Sequence, residues 1–357
     1  MATIALDAMG GDFGPEVVLP AAAHVVKKFN DVRIILVGDE NRLRDCAKQH
    51  SIDLDKYFEI HHASQVVEMD EDPRHAVRKK KDSSMRVAID LVRQGQAQAA
   101  VSAGNTGALM ATAKFVLKTL PGIDRPAICT TIPSFGGHTH MLDLGANVDS
   151  SAQHLLQFAV MGSVLAEAID ATQQPKVGLL NIGSEAGKGN TQVKQANALL
   201  QDGPFNYIGY VEGDDIYSDK VDVVVCDGFV GNVSLKTMEG VAKMIATMMR
   251  EEFNRSIFTK IAGLLAWPVL NRFKKRVDPR SYNGASMLGL SGIVIKSHGG
   301  TDVLGYANAI EIALLEIEKS VPEHIRKCME PLLHQVAPEQ TGSVAAEAEE
   351  KEAGITV

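Results

Sequence analysis

Three glycines and a lysine, Gly183, Gly187, Lys188 and Gly189, follow directly on the apolar run of Val177, Leu179, Leu180 and Ile182. The run suits a buried parallel strand, and Thr191 to Leu200 suits the helix after it. Glycines at a strand-to-helix turn let backbone N–H groups approach an anion, and Lys188 adds charge at the helix start. The chemistry on offer is phosphate binding. A nucleotide-triphosphate loop needs four residues between its glycines and Ser or Thr after the lysine, whereas here three separate Gly183 from Gly187 and Gly189 follows Lys188. The dinucleotide fingerprint has no lysine in this role. A turn without a ligand fits the same residues, so the neighbouring turns must decide.

Three further turns have the same small-residue chemistry. Asp7-Ala-Met-Gly10-Gly11-Asp12 follows a strand at Thr3 to Leu6, with Asp12 expected to accept backbone N–H bonds. Ser102-Ala-Gly104-Asn105-Thr106-Gly follows a strand at Ala97 to Val101, and its Asn and Thr can add hydrogen bonds to an anion. Asp227-Gly-Phe-Val-Gly-Asn232 follows Val221 to Cys226, with a helix expected from Val233. Ligands bind beyond the carboxyl ends of strands in open parallel sheets, so one cleft shared by all four turns is expected.

Arg74, Arg78, Lys79, Lys80, Lys81 and Arg86 crowd into one stretch, with Asp82 or Ser83 as the cap of the following helix. Cations at a helix entrance oppose the macrodipole, which points to an anionic ligand; a solvated loop is the alternative. His138 and His140 alternate along a strand that forms a hairpin with Ala127 to Ile132 around Gly136-Gly137. With Asp143 they could be metal ligands. Alternation puts both rings on one face but not toward Asp143, and an exposed hairpin tip accounts for them equally well; no metal site is assigned.

The elements that must position these residues alternate strand and helix: Pro15 opens a helix, Arg33 to Val37 is a strand, Asn41 to His50 a helix and Phe58 to His61 a strand. Ile293 to Ile295 is a late strand, and helices run from Val303 to Ser320 and from Glu323 to Gln335. A chain of 357 residues, 45% apolar and 22% charged, can bury a large core. Its net charge of -8 excludes blanket attraction to nucleic acid, so an anionic partner must be met by a local patch. Four scattered cysteines fit a reducing cytoplasm. Neither a signal core at the start nor a spanning run of about 18 apolar residues is present. Between Lys260 and Arg272, Leu264, Leu265 and Trp267 lie in an uncharged stretch that reaches about 16 Å as a helix, against about 30 Å of hydrocarbon. With Lys274 and Lys275 beside it, the segment can lie on an anionic membrane but not cross one, or it can be buried in a subunit interface.

DAMGGD at Asp7, KKDSSM at Lys80, SAGNTGA at Ser102, LDLGAN at Leu142, NIGSEAGKGN at Asn181, DGFVGN at Asp227 and KSHGG at Lys296 occur in that order. Together, over residues 2 to 335, they resemble the PlsX family, the acyl-carrier-protein:phosphate acyltransferases of bacterial phospholipid synthesis. The resemblance implies a three-layer αβα sandwich with a mostly parallel sheet, akin to phosphotransacetylase and isocitrate dehydrogenase. It implies one domain over 1–335 and a protruding helical hairpin at 237–280 for dimer and membrane contact; residues 336–357, outside the motifs, have few large apolar residues and many glutamates and are expected to form a disordered acidic tail. The implied reaction converts acyl-ACP and inorganic phosphate to acyl phosphate and free ACP, without metal or organic cofactor. Lys188 and Asn232 match the positions associated with catalysis. Gly10, Gly11, Asp12, Ser102, Gly104, Asn105, Thr106, Gly187, Gly189 and His298 are the candidate phosphate and acyl-phosphate site, and Arg74, Arg78, Lys79, Lys80 and Lys81 the candidate ACP site. A homodimer on the inner face of the cell membrane is expected, with a downstream glycerol-3-phosphate acyltransferase as a further candidate partner. Rival readings are an NADP-linked dehydrogenase of the isocitrate dehydrogenase type, for which no carboxylate cluster or arginine set can be assembled, and a non-enzymatic membrane scaffold.

Overall fold

Apolar runs with alternating faces build the strands of the computed structural model, which describes residues 1–276 and 278–336. The first half holds β1 (Ala2–Asp7), α1 (Pro15–Lys28), β2 (Val32–Gly38), α2 (Glu40–Gln49), α3 (Leu54–Tyr57), β3 (Phe58–His62), α4 (Pro73–Lys79), α5 (Ser84–Arg93), β4 (Ala99–Ser102) and α6 (Thr106–Leu117). The middle holds β5 (Ala127–Ser134), β6 (Gly137–Leu142), α7 (Ala152–Asp170), β7 (Lys176–Leu180), α8 (Thr191–Gln201), β8 (Asn206–Val211) and β9 (Val223–Val225). Then come α9 (Gly228–Asn254), α10 (Ile257–Arg276), β10 (Ala285–Leu288), β11 (Ile293–Lys296), α11 (Val303–Glu318) and α12 (Val321–Val336). The acidic tail expected at 336–357 lies, beyond Val336, outside the described residues, as do the side chains of Lys274 and Lys275.

All strands join one sheet in the order β3-β2-β1-β4-β11-β10-β5-β6-β9-β7-β8. Because successive side chains point to opposite faces, Ile4, Leu6, Ile34 and Leu36 meet α1 and α11, while Ala5, Ile35 and Val37 meet α5 and α6. Farther along the sheet, Leu142, Val177, Leu179, Val223 and Val225 pack on α7, α8 and α12. Helices thus cover both faces, giving the expected αβα sandwich. Pairings are parallel within each wing, but β10 is antiparallel to both β11 and β5, and β5 is antiparallel to β6. Three reversals leave β6, β9, β7 and β8 running opposite to β1 and β4. The single carboxyl edge expected for all four turns is therefore not what the sheet provides.

Helix α7 carries no periodic signal because it is apolar all round: every residue from Leu155 to Ala166 is buried. Such a helix belongs inside the fold, not on its surface. At Gly162 an added Cβ would come within 2.6 Å of Val223 and 2.8 Å of Leu142, so the missing side chain sets how closely α7 approaches the sheet.

The β5–β6 hairpin forms as expected, but its histidines turn to neither Asp143 nor, in the case of His140, solvent; His138 alone is partly exposed. His138 Nε2 lies 2.9 Å and His140 Nε2 2.7 Å from the two carboxylate oxygens of Asp170, at the end of α7. His140 is buried. Asp143 turns into the protein instead and accepts from the N–H groups of Ile128, Ala146 and Asn147 and from the Asn147 amide.

One buried acid has a single polar partner. Glu316 on α11 accepts from the Ser286 hydroxyl, and burial pushes its carboxyl up to about 7 from 4.5 despite that bond. A raised folded-state pKa means that this group's contribution to stability is full below about pH 4.5, falls as pH rises toward 7, and is level above that. Glu316→Gln should remove a pH-dependent loss of about 3 kcal/mol at most. Urea unfolding across that interval checks it: the wild type should weaken relative to the variant, and parallel profiles would show that Glu316 stays ionised in the fold.

Candidate functional site

The first group of turns is built on Asp7. Its carboxylate accepts from Met9 N–H at 3.3 Å, Gly10 N–H at 3.1 Å and Ser102 Oγ at 2.6 Å, and Ser102 in turn accepts from Gly104 N–H at 3.0 Å. Burial raises the Asp7 carboxyl's pKa against the pull of these bonds. The role expected for Asp12 thus belongs to Asp7, while Asp12 N–H donates to Gly299 O at 3.0 Å. Gly10 and Gly11 answer first to packing. A Cβ on Gly10 would lie 2.9 Å from Gly104 N, and one on Gly11, where φ is +87°, would lie 2.8 Å from Ala103 Cβ. Three turns, after β1, β4 and β11, interlock here because their strands are neighbours.

Several candidates in this group are engaged by the protein itself. The Ser102 hydroxyl is buried against Asp7. Asn105 accepts from Ala108 N–H and donates to the carbonyls of Met69 and Glu71 at 2.8 and 3.1 Å, so it ties the basic segment to the start of α6. Lys80 donates to Val66 O at 2.8 Å. Thr106 and His298 remain exposed. His298 Nδ1 accepts from Gly300 N–H at 3.1 Å, which leaves Nε2 as the outward, proton-bearing atom. Lys296, buried beneath these turns, donates to Ala103 O at 3.3 Å. Burial lowers it to about 8, with Lys236 adding to that effect and Asp7 and Asp12 opposing it. In the sequence Lys296 stands with Ser297 and His298 at the end of the Ile293 to Ile295 strand, with no role assigned to it; a lysine closing an apolar strand is the available signal.

The second group follows β6, β9 and β7, which are also neighbours. Asp227 caps α9 by accepting from Phe229 N–H at 2.9 Å and reaches Ser150 N–H at 2.8 Å, while Gln192 of α8 donates to Ser150 O. Helix α9 starts at Gly228, not Val233, because Gly228 and Gly231 let it press on the β6 turn. A Cβ on Gly231 would fall 1.9 Å from Asp143 O. Asn232 consequently stands one turn into the helix, over Gly145, and its amide is exposed and without a partner among the described residues. Lys188 is likewise exposed and unpaired there, just ahead of the α8 cap at Asn190. Gly189, at φ +90°, is fixed by its backbone, whereas a Cβ on Gly187 would meet nothing within 4 Å. Ile182, expected inside the strand, is 79% exposed because β7 ends at Leu180.

Although their strands run oppositely, the two groups are joined by α9. Lys236, one turn beyond Asn232, is near enough to Lys296 for its charge to help depress that amine. The basic segment also differs from expectation. Arg74, Arg78 and Lys79 sit on α4, with Arg78 and Lys79 in its last turn, where the dipole favours cations; α5 starts separately with Ser83 as its cap. Arg74, Arg78, Lys79 and Lys81 point to solvent and are unpaired among the described residues.

A sequence profile described as fatty acid synthesis protein matches residues 2–324. The chain belongs to that family. It is 61% identical over 331 residues to the phosphate acyltransferase of Alkalilimnicola ehrlichii, covering 93% of this chain and 97% of that one. The phosphate acyltransferase of Legionella pneumophila strain Corby is 57% identical over 334 residues, with 93% and 98% covered. Among solved structures, a phosphotransacetylase from Streptococcus pyogenes superposes with a TM-score of 0.61 at 18% identity, over 89% of this chain and 94% of that one. That likeness is one of fold, and it matches the expected sandwich. Membership of the family makes the chain a transferase and does not favour the dehydrogenase or scaffold readings.

Proposed function

We propose that this phosphate acyltransferase moves a fatty acyl group from an acyl-carrier-protein thioester to inorganic phosphate, supplying acyl phosphate for phospholipid synthesis. The observation that carries the site assignment is that Lys188 and Asn232 follow neighbouring strands, β7 and β9, with both side chains exposed and unpaired among the described residues. Phosphate needs no activated protein nucleophile. Held by Lys188 and by N–H groups at the bare Gly187, one phosphate oxygen attacks the thioester carbonyl carbon, and Asn232 donates to the oxyanion that develops. The C–S bond then breaks as the C–O bond remains, and the departing thiolate takes a proton from His298 Nε2 or from water. A thiol of pKa about 8.5 leaves without strong acid help. The first group of turns, above all Gly10, Gly11, Asp12, Gly104 and Thr106, lines the acyl-phosphate side of the same space.

Lys188→Ala should cost about 2 to 4 kcal/mol of transition-state stabilisation with the fold intact, and Asn232→Ala a comparable amount. Acyl phosphate formation from acyl-ACP and phosphate measures both. An alanine variant at Lys188 keeping a third of wild-type turnover at saturating phosphate would remove it from the site, and a pure KM effect at Asn232 would make that residue a binder only.

Acyl carrier proteins are acidic, and the free cations of the α4 segment are its best match. Asn105 ties that segment to the turn after β4, so a docked carrier would sit beside the proposed site. Charge reversal at Lys79 and Lys81 together should raise the KM for acyl-ACP at least tenfold and flatten its salt dependence. Steady-state rates at two ionic strengths test this, and an unchanged KM moves the carrier elsewhere.

Helices α9 and α10 pack on each other through contacts such as Phe253 at Gly263, yet of α9 only Gly228 and Gly231 are buried. Met244, Ile245 and Met248 on α9 and Phe258, Leu264, Leu265 and Trp267 on α10 are exposed. So much uncovered apolar surface calls for a cover. We assign the length of α9 to a homodimer and the α10 tip, with Lys260 and the adjoining Lys274 and Lys275, to an anionic membrane surface. No helix among the described residues is long and apolar enough to cross a membrane. Leu264→Glu should abolish flotation with anionic vesicles while sedimentation still reports a dimer and soluble acyl phosphate formation persists. Continued flotation, or loss of the dimer with activity, would make the tip a buried interface.

A further inference from the structure

We propose that His138, His140 and Asp170 form a divalent-cation site of zinc type that clamps the β5–β6 hairpin to the end of α7. Two residues apart on β6, the histidines project from one face of the strand. Their Nε2 atoms meet opposite oxygens of one carboxylate at 2.9 and 2.7 Å, and the two rings lie edge to face with centroids 5.2 Å apart. One ligand atom from each residue lies within 4.8 Å of the others. Two imidazoles and a carboxylate form a familiar zinc donor set, and metal bonds of about 2.0 to 2.2 Å place tetrahedral ligands roughly 3.3 Å apart. Opening each contact by about half an ångström would admit the ion. His140 has an outer partner as well, since Thr131 Oγ1 lies 3.5 Å from its Nδ1 and can hold the ring with Nε2 directed at the ion. His138 is partly exposed, which leaves a fourth position for water.

The placement of Asp170 supports the same reading independently. It is the last residue of a 19-residue helix whose final turn has no basic residue, the end where the macrodipole disfavours a carboxylate. A cation there offsets the carboxylate and the helix end together. The rival cluster of Glu16, Cys46 and His50 is poorer, because a thiol buried against Pro15 O must lose its proton to ligate. The site lies at the start of β6, whereas the Asn232 turn follows the end of β6 and β9, so the clamp is structural and separate from the reaction.

Calorimetric titration of the full chain, first stripped with a chelator, with Zn²⁺ alone should give one equivalent bound at micromolar Kd or tighter, and a melting temperature that rises with Zn²⁺. Co²⁺ in place of zinc should show the visible bands of a four- or five-coordinate ion. His138→Asn changes a surface side chain and should weaken binding at least tenfold; Asp170→Asn should do the same and decides the matter should the first variant lose its fold. Absence of saturable binding, or binding unchanged in either folded variant, overturns the proposal.

Discussion

A buried carboxylate satisfied largely by backbone N–H groups is the constraint on which both groups of turns depend. Asp143 shows it most fully, with three N–H groups and an amide converging on its two oxygens. Leaving such a group unpaired would cost several kcal/mol, so the turn has little choice of shape. That shape gives Gly228 and Gly231 a surface to press on, starts α9 early, and places Asn232 above Gly145. Asp7 does the corresponding work in the other wing, fixing Gly10 and, through Ser102, Gly104. Glycines that read as openings for an anion are in large part demands of these carboxylates, and Gly187, with nothing near it, is the one whose bareness the packing does not require.

Local features were legible in the chain because local physics sets them. Apolar runs between glycine turns marked nearly every strand flanking the site, and the motifs marked Lys188 and Asn232. What escaped was decided by distant pairing. Strand direction in the second wing is set by the antiparallel β5–β6 pair, since the two reversals at β10 cancel, and nothing within β7 or β9 encodes their parallel pairing to β6 and to each other. Helix α7 was invisible because burial on all sides erases periodicity. Asp170 could not be matched to His138 and His140 from spacing 30 and 32 residues away, and a nearer acid, Asp143, drew attention first. The basic segment departs from expectation for a smaller reason: Pro73 and the Asp72 cap begin a short helix of its own, so Arg78 and Lys79 close one helix and do not open the next.

Charge is arranged in depth as well as around the rim. Lys296 lies beneath the first group of turns with Asp7 and Asp12 near it, and Lys236 faces it from α9, paired to Glu239 at 2.8 Å. A chain whose net charge is -8 thus brings two lysines, one buried and one on α9, close to each other beside the first group of turns.

Helix α9 has a mechanical consequence. It is 27 residues long, about 40 Å, and its two buried residues lie in the first turn. It is held against the core as far as Leu235 and Met238, so Asn232 lies within the held part and Asn254 about 24 Å beyond it. A swing that carries the outer end through several ångströms displaces the inner residue by well under one. The outer end can follow a yielding surface while the inner end keeps its aim.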